Sequence, residues 1–295
     1  MPITHVETST LQQPVLPAAL RLGPVHLTVT HLDGSVAFYQ RSLGLRVHSQ
    51  DTGVAHLGDG SEAAIVLHED PQARRAGRHA GLYHYALLYP SRRELARAAV
   101  RLADTRTPIQ GASDHGTHEA IYLPDPDGNG IELAADRPRE QWPTPEEEFS
   151  GAGPRPLDLE SLLATVRSEP SPGHVEQGLR VGHVHLHVGD IDYALAFYRD
   201  LVGFEVWARL PTAAFVSAGG YHHHLAFNVW LGRGAGPAPE HTVGLRHWTV
   251  QLPCAAEVAA VRERLEAAGH PVQRTADSFT ARDPWGTALR FEVAP

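Results

Sequence analysis

What most restricts this chain is that it repeats itself. The segment from Leu20, LRLGPVHLTVTHLDGSVAFYQRSLGLRV, returns 159 residues later from Leu179 as LRVGHVHLHVGDIDYALAFYRDLVGFEV. GLYHYALLYP, from Gly81, returns as GLRHWTVQLP from Gly244, and DPDGNGIEL, from Asp125, as DPWGTALRF from Asp283. The chain is therefore two related halves, and each half holds two smaller units that open on an apolar strand.

The units share one local grammar. Residues 25–29 and 183–188 alternate apolar and polar, as half-buried strands do. Asp33 and Asp192 stand as N-caps before VAFYQRSL and ALAFYRDL, and Gly44 and Gly203 follow as helix stops. Ser91 with Glu94 forms a capping box ahead of LARAAVRLA, and a last helix runs from about Cys254 to Ala268. Each unit thus reads strand, helix, three strands, near 21–70, 80–136, 179–231 and 243–294. The predicted fold class is α+β, with four βαβββ modules. Residues 1–20 read as a loose tail, 21–137 as the first two-module domain, 138–178 as a linker and 179–295 as the second domain. The linker carries one short helix at LDLESLLATV, and its acidic run PEEEF reads as solvated.

Composition narrows the function. With 25 Lys+Arg against 34 Asp+Glu the net charge is −9, so a nucleic-acid partner is not expected. No apolar run approaches the ~20 residues of a membrane-spanning helix, and the first residues show no secretory pattern. A lone cysteine, Cys254, points to a reducing cytoplasm. Histidine is abundant, 20 of 295 residues, and histidine is the commonest metal ligand.

Four βαβββ units with these sequences resemble the vicinal oxygen chelate superfamily, which contains glyoxalases, extradiol ring-cleaving dioxygenases and antibiotic-resistance proteins. The extradiol signature reads here as His115, GTHEA, Ile121, Tyr122, LP, Asp125, Pro126, Asp127, Gly128, NGI, Glu132, departing only at Ser113. GLYHYALLYPSRREL, EAIYLPDPDGNGIELAADRPREQW and FVSAGGYHHHLAFNVW are similar to the bacillar catechol 2,3-dioxygenase type of this family.

The resemblance implies that two units close into a cup, each lending metal ligands from its first and last strands. Those first-strand positions hold Pro24, His84, His183 and His247, and the last-strand positions of units two and four hold Glu132 and Arg290. An Fe(II) oxygenase needs two His and one carboxylate on one face. Pairing units two and three supplies His84, Glu132 and His183. Pairing units three and four supplies His183 and His247, with Arg290 where a carboxylate belongs and Glu292 two residues beyond. The first pairing is favoured and the second stays open. The resemblance further implies His223 as an acid–base group, and His115 and Tyr122 as hydrogen-bonding neighbours of a bound diol. His26, His185, His187 and His247 read as ordinary strand histidines.

The implied activity is an Fe(II)-dependent extradiol dioxygenase, with Mn(II) suiting the same ligands, acting on an aromatic diol and O₂. A glyoxalase-like metal-dependent isomerase or transferase, and a non-catalytic small-molecule-binding protein, are the alternatives. No membrane partner is implied, and a homo-oligomer fits the family.

Overall fold

The computed structural model describes residues 15–149, 153–170 and 173–295. The first module is β1 (Arg21–Val29), helix α1 (Leu32–Arg41), β2 (Arg46–Asp51), β3 (Val54–Gly58) and β4 (Ala63–Glu69). The second is β5 (Gly81–Leu88), α2 (Arg92–Asp104), β6 (Gly111–Asp114), β7 (His118–Pro124) and β8 (Gly130–Asp136). The connection holds helix α3 (Pro145–Phe149), strand β9 (Arg155–Pro156) and helix α4 (Leu159–Ala164). The third module is β10 (Arg180–His187), α5 (Ile191–Leu195) continued by a wider π-type turn over Ala196–Val202, β11 (Glu205–Arg209), β12 (Ala213–Ser217) and β13 (Leu225–Asn228). The fourth is β14 (Gly244–Leu252), α6 (Ala255–Ala267), β15 (Val272–Arg274), β16 (Ser278–Arg282) and β17 (Ala288–Val293). The architecture is the expected α+β arrangement of four βαβββ modules.

Two of the helix starts differ from expectation. His31, not Asp33, caps α1, its ring nitrogen accepting from Gly34 N at 2.9 Å. Asp190, not Asp192, caps α5, accepting from Tyr193 N at 2.8 Å. Asp33 and Asp192 lie inside the first turns, where a carboxylate still favours the positive end of the helix dipole. Ser91 caps α2 as expected, while the Glu94 carboxylate is turned to Arg97. Gly44 at φ 73° and Gly203 at φ 104° end their helices in left-handed geometry.

Sheet pairing crosses the sequence halves. Modules one and four share one sheet, ordered β15-β16-β17-β14-β1-β4-β3-β2. Modules two and three share the other, ordered β11-β12-β13-β10-β5-β8-β7-β6-β9. At each centre two first strands pair antiparallel, β1 with β14 and β5 with β10, and each is flanked by the parallel last strand of its own module. Helices α1 and α6 pack against strands of the first sheet, and α2 and α5 against strands of the second. The division 21–137 and 179–295 is therefore one of sequence, and neither sheet is confined to one side of it.

The two modules within each half, which lie in different sheets, are tied together by a different device. Tyr39, from module one, donates to Asp125 of module two at 3.1 Å, and Tyr198, from module three, donates to Asp283 of module four at 2.9 Å. All four groups are buried, and leaving either carboxyl without its donor would cost about 1–3 kcal/mol. The repeated FY and DP motifs are thus one contact, made twice.

Two segments expected to be loose are packed. Residues 1–14 lie outside the described residues, but Leu16 is buried and donates its N–H to Gly203 O at 2.8 Å. The acidic run of the connection forms α3, which lays Glu148 against Trp207 (3.1 Å) and Phe149 against Phe215. An apolar aromatic at its end and a tryptophan N–H facing its carboxylate hold it down. Among the described residues no helix is long and apolar enough to cross a membrane.

Candidate metal centre

The concave side of the module two/three sheet is where the histidines gather. His84 on β5 and His183 on β10 both stand seven residues before a helix N-cap, Ser91 and Asp190, so they occupy equivalent positions in their modules. Glu132, on β8, lies opposite Ala86 in the parallel register. The three side chains converge: His84 Nε2 is 3.1 Å from Glu132 Oε2, His183 Nε2 is 3.2 Å from the same oxygen, and the two nitrogens are 3.3 Å apart. All three residues are buried, and among the described residues they form the group of donors able to hold a metal ion. Burial alone pushes the Glu132 carboxyl up, but His183, His118 and His84 around it outweigh this and hold it well below the usual range. The carboxylate is thus ionised and ready for a cation.

His223 lies beside this group, its ring centroid 4.1 Å from that of His183. Its Nδ1 is 2.8 Å from His222 Nδ1, and His222 Nε2 is 3.1 Å from Asp136 Oδ1, which also accepts from Tyr221 OH. The network assigns the protons. Asp136 accepts from His222 Nε2–H, His222 Nδ1 accepts from His223 Nδ1–H, and His223 Nε2 keeps a free lone pair. Burial, reinforced by the neighbouring histidines, holds His223 well below the ordinary histidine value, and burial brings His222 to about 4, so both rings are neutral.

His115 and Tyr122 form a second pair, Nε2 to hydroxyl at 2.8 Å. Tyr122 lies opposite Glu132 in the antiparallel ladder, and burial followed by the Glu132 charge pushes its hydroxyl well above the ordinary value. Burial and His118 bring His115 down to about 3. Tyr122 therefore stays a phenol and His115 a neutral imidazole.

Four residues of this site were not singled out from the sequence. His118 Nε2 donates to Glu132 Oε1 (3.0 Å), its Nδ1 is 2.9 Å from Thr117 Oγ1, and the ring stacks between His115 and His222. Burial lowers its pKa, but the bond to Glu132 more than offsets this and the net shift is upward. Asp136 and His222 complete the chain to His223. Tyr83 faces His84, His185, His187 and Trp230. Strand parity offered a signal for two of these: His118 shares a face with Tyr122, and Asp136 with Glu132. His185 approaches His84 to 4.9 Å between centroids, but its Nε2 is bonded to Asn228 Nδ2 at 2.9 Å, which matches its reading as an ordinary strand histidine.

A cavity of about 200 Å³ opens beside His84, lined by Tyr83, Gln110 and Tyr122. A cleft of about 660 Å³ lies elsewhere, between residues 75–81 and 237–246, and none of the three converging donors lines it. The other pairing considered from sequence, His183 with His247, is not formed: His247 lies in the opposite sheet, stacked on His26 at 3.8 Å.

The model of the Glyoxalase/Bleomycin resistance protein/Dioxygenase superfamily matches residues 21–133 and 180–291. The chain is 40% identical over 268 residues to the Catechol-2,3-dioxygenase of Bacillus subtilis (strain 168), covering 89% of this chain and 93% of that protein. Among solved structures, a putative dioxygenase from Bacillus subtilis subsp. subtilis str. 168 superposes with a TM-score of 0.64 at 14% identity, over 96% of this chain and 87% of that one. Glyoxalase I from Zea mays superposes with a TM-score of 0.58 at 16% identity, over 93% of this chain and 92% of that one. At such identities the two structures share the fold.

Proposed function

Because the chain belongs to the glyoxalase/bleomycin resistance/dioxygenase superfamily, we propose that it is an Fe(II)-dependent extradiol dioxygenase that opens a catechol-type aromatic diol with O₂. The observation that carries this reading is the donor triangle. Two imidazole nitrogens and one carboxylate oxygen stand 3.1–3.3 Å apart. Donors bound about 2.1 Å from one ion and at right angles to each other stand about 3.0 Å apart, so the three suit one face of an octahedral ion. His84, His183 and Glu132 would hold the metal, and Mn(II) suits the same set. When bound, it supplies the positive charge that ionises a diol hydroxyl and the one-electron chemistry that O₂ requires.

The chain's own residues do the rest. At the position in module three equivalent to Glu132, the register places Ala226, opposite His185 as Glu132 is opposite Ala86. A methyl group there leaves the far side of the centre free for two ligands from solution. The free Nε2 of His223 takes a proton from the diol and returns it as the ring opens, and Asp136 acts through His222 to hold that tautomer. Tyr122 donates its hydroxyl proton toward the diol oxygens, oriented by His115. Burial of His84, Glu132, His183, His222 and His223 limits water at the reacting oxygens. The ring bond beside the diol breaks, and both oxygen atoms of O₂ enter the product. Cys254 is free and exposed, which fits a reducing cytoplasm.

Ala226 also weighs against a glyoxalase-type isomerase, which calls for a fuller protein ligand set and a second carboxylate base. A protein that only binds small molecules would gain nothing from three converged donors. The test is oxygen uptake with catechol on protein purified without chelator. Uptake matched by ring-opened product, lost on chelation and restored by Fe(II), is expected. Metal-loaded protein that leaves catechol and O₂ untouched would overturn the reading.

A further inference from the structure

The second sheet forms a cup with the same construction and the opposite charge. His247 stands where β5 has His84, Pro24 where β10 has His183, and Arg290 where β8 has Glu132, by the repeats themselves. His26 and His247 stack with centroids 3.8 Å apart, and His26 Nδ1 is 3.0 Å from His68 Nε2. His247 Nε2 is enclosed with no hydrogen-bond partner. Arg290 Nε is likewise enclosed, 3.2 Å from Glu292 Oε2 but without hydrogen-bond alignment, and Glu292 is also held by Gln251.

Apart from Glu292 on Arg290, the charged and titratable groups acting on these rings are cations or imidazoles. Burial, followed by His247, His68, His56 and Arg290, brings His26 down to about 2. Burial, followed by Arg290, His68, Arg246 and Arg282, brings His247 to about 4, and burial with Arg246 and His56 brings His68 to about 4. The His26–His68 bond uses one N–H; with His68 Nε2–H as its donor, His26 Nε2–H and the N–H of His247 stay free to donate, and each ring would be relieved by a negative charge among them. This happens in a chain whose net charge is −9. The replacement of a carboxylate by a guanidinium at the equivalent position turns a place for a cation into a place for an anion.

We propose that the module one/four cup is an anion-binding site, taking a small carboxylate or phosphate group between Arg290, His247 and His26. A guanidinium fork and two flanking imidazole N–H groups match an oxyanion's lone pairs. Glu292 is the group the anion displaces from Arg290. The site is independent of the dioxygenase reading, since it shares no residue with the metal centre.

Titration calorimetry of the metal-loaded protein with inorganic phosphate, and separately with benzoate, tests this. Saturable one-site binding of at least one anion is expected, and the stronger of the two tells whether phosphate or carboxylate is the natural group. Arg290→Gln should weaken it about 10–100-fold, the worth of a charge-assisted hydrogen bond. Arg75→Gln, in the 660 Å³ cleft but not among the groups that act on His26, His68 or His247, should leave it unchanged. In the unmutated protein the anion should shift the imidazole proton resonances of His26, His68 and His247. Absence of binding by either anion, equal binding in Arg290→Gln, loss in Arg75→Gln, or unmoved imidazole resonances would each overturn the proposal.

Discussion

The sheet centred on β5 and β10 and the sheet centred on β1 and β14 repeat one another strand for strand. Of three equivalent positions, one carries histidine in both, His84 and His247; the other two differ, Glu132 and His183 in the first, Arg290 and Pro24 in the second. The scaffold places side chains of matching parity on a shared concave face in both cases. What that face can hold depends on a handful of residues, and exchanging one carboxylate for one guanidinium is enough to reverse the charge it attracts. The difference extends to the surroundings. Asp136, Glu148 and Glu132 lie about the first cluster, and Arg246, Arg282 and Arg290 about the second. Fold and function are separable on this chain, as they are generally.

The contrast breaks most sharply at the ligands. Glu132→Ala, His84→Ala and His183→Ala should each abolish metal retention and diol-dependent oxygen uptake, while His247→Ala leaves metal content unchanged. Elemental analysis of the four variants checks this, and metal loss in His247→Ala would move the centre to the other cup.

The next effect belongs to His223. His223→Phe should keep the metal and slow turnover about 10²–10⁴-fold, the usual worth of a positioned proton carrier. Single-turnover kinetics at full metal content is the measurement, and near-normal turnover would shift the proton carrier to His115 or Tyr122. Asp136→Asn should cost less, about 10–100-fold in kcat with KM little changed, because it acts only by fixing the His222 and His223 tautomers. An equal loss in KM would point to a collapsed pocket instead.

The smallest effect concerns acid stability of the second cup. The folded pKa values of His68 and His247, about 4, lie below the ordinary 6.5, so the unfolded chain binds more protons between those values. Stability is therefore lost as pH falls from about 6.5 toward 4. His247→Gln removes one such group from a cluster that also holds His26, His56, Arg246, Arg282 and Arg290. The drop in Tm between pH 7 and pH 5 should shrink by about 2 °C, after allowing for partial solvent exposure. An unchanged drop would show that these rings titrate freely.

Much of this was legible in the residues. The repeats announced four modules, and His84 and Glu132 were visible because both sit at fixed distances from motifs that recur: a helix cap and the DPDGNG turn. His183 followed from its repeat. The contacts that cross modules were not legible. Asp136 meets His222 only because β8 and β13 flank the same central pair, 86 positions apart in the chain. Glu148 read as solvated because nothing local shows that Trp207 waits for it. The caps lie two residues before the positions the pattern predicts, because a histidine ring at position 31, and an aspartate before rather than within the first turn at 190, make the bond.

The two sheets differ most in the metal proposed for the module two/three cup and not for its twin. Crystals of protein grown anaerobically with Fe(II) and measured at the iron absorption edge test it directly. An anomalous peak is expected about 2.0–2.2 Å from His84 Nε2, His183 Nε2 and a Glu132 oxygen, with none beside His26, His68 and His247. A peak at the second cluster, or an empty first cup in iron-loaded crystals, would contradict it.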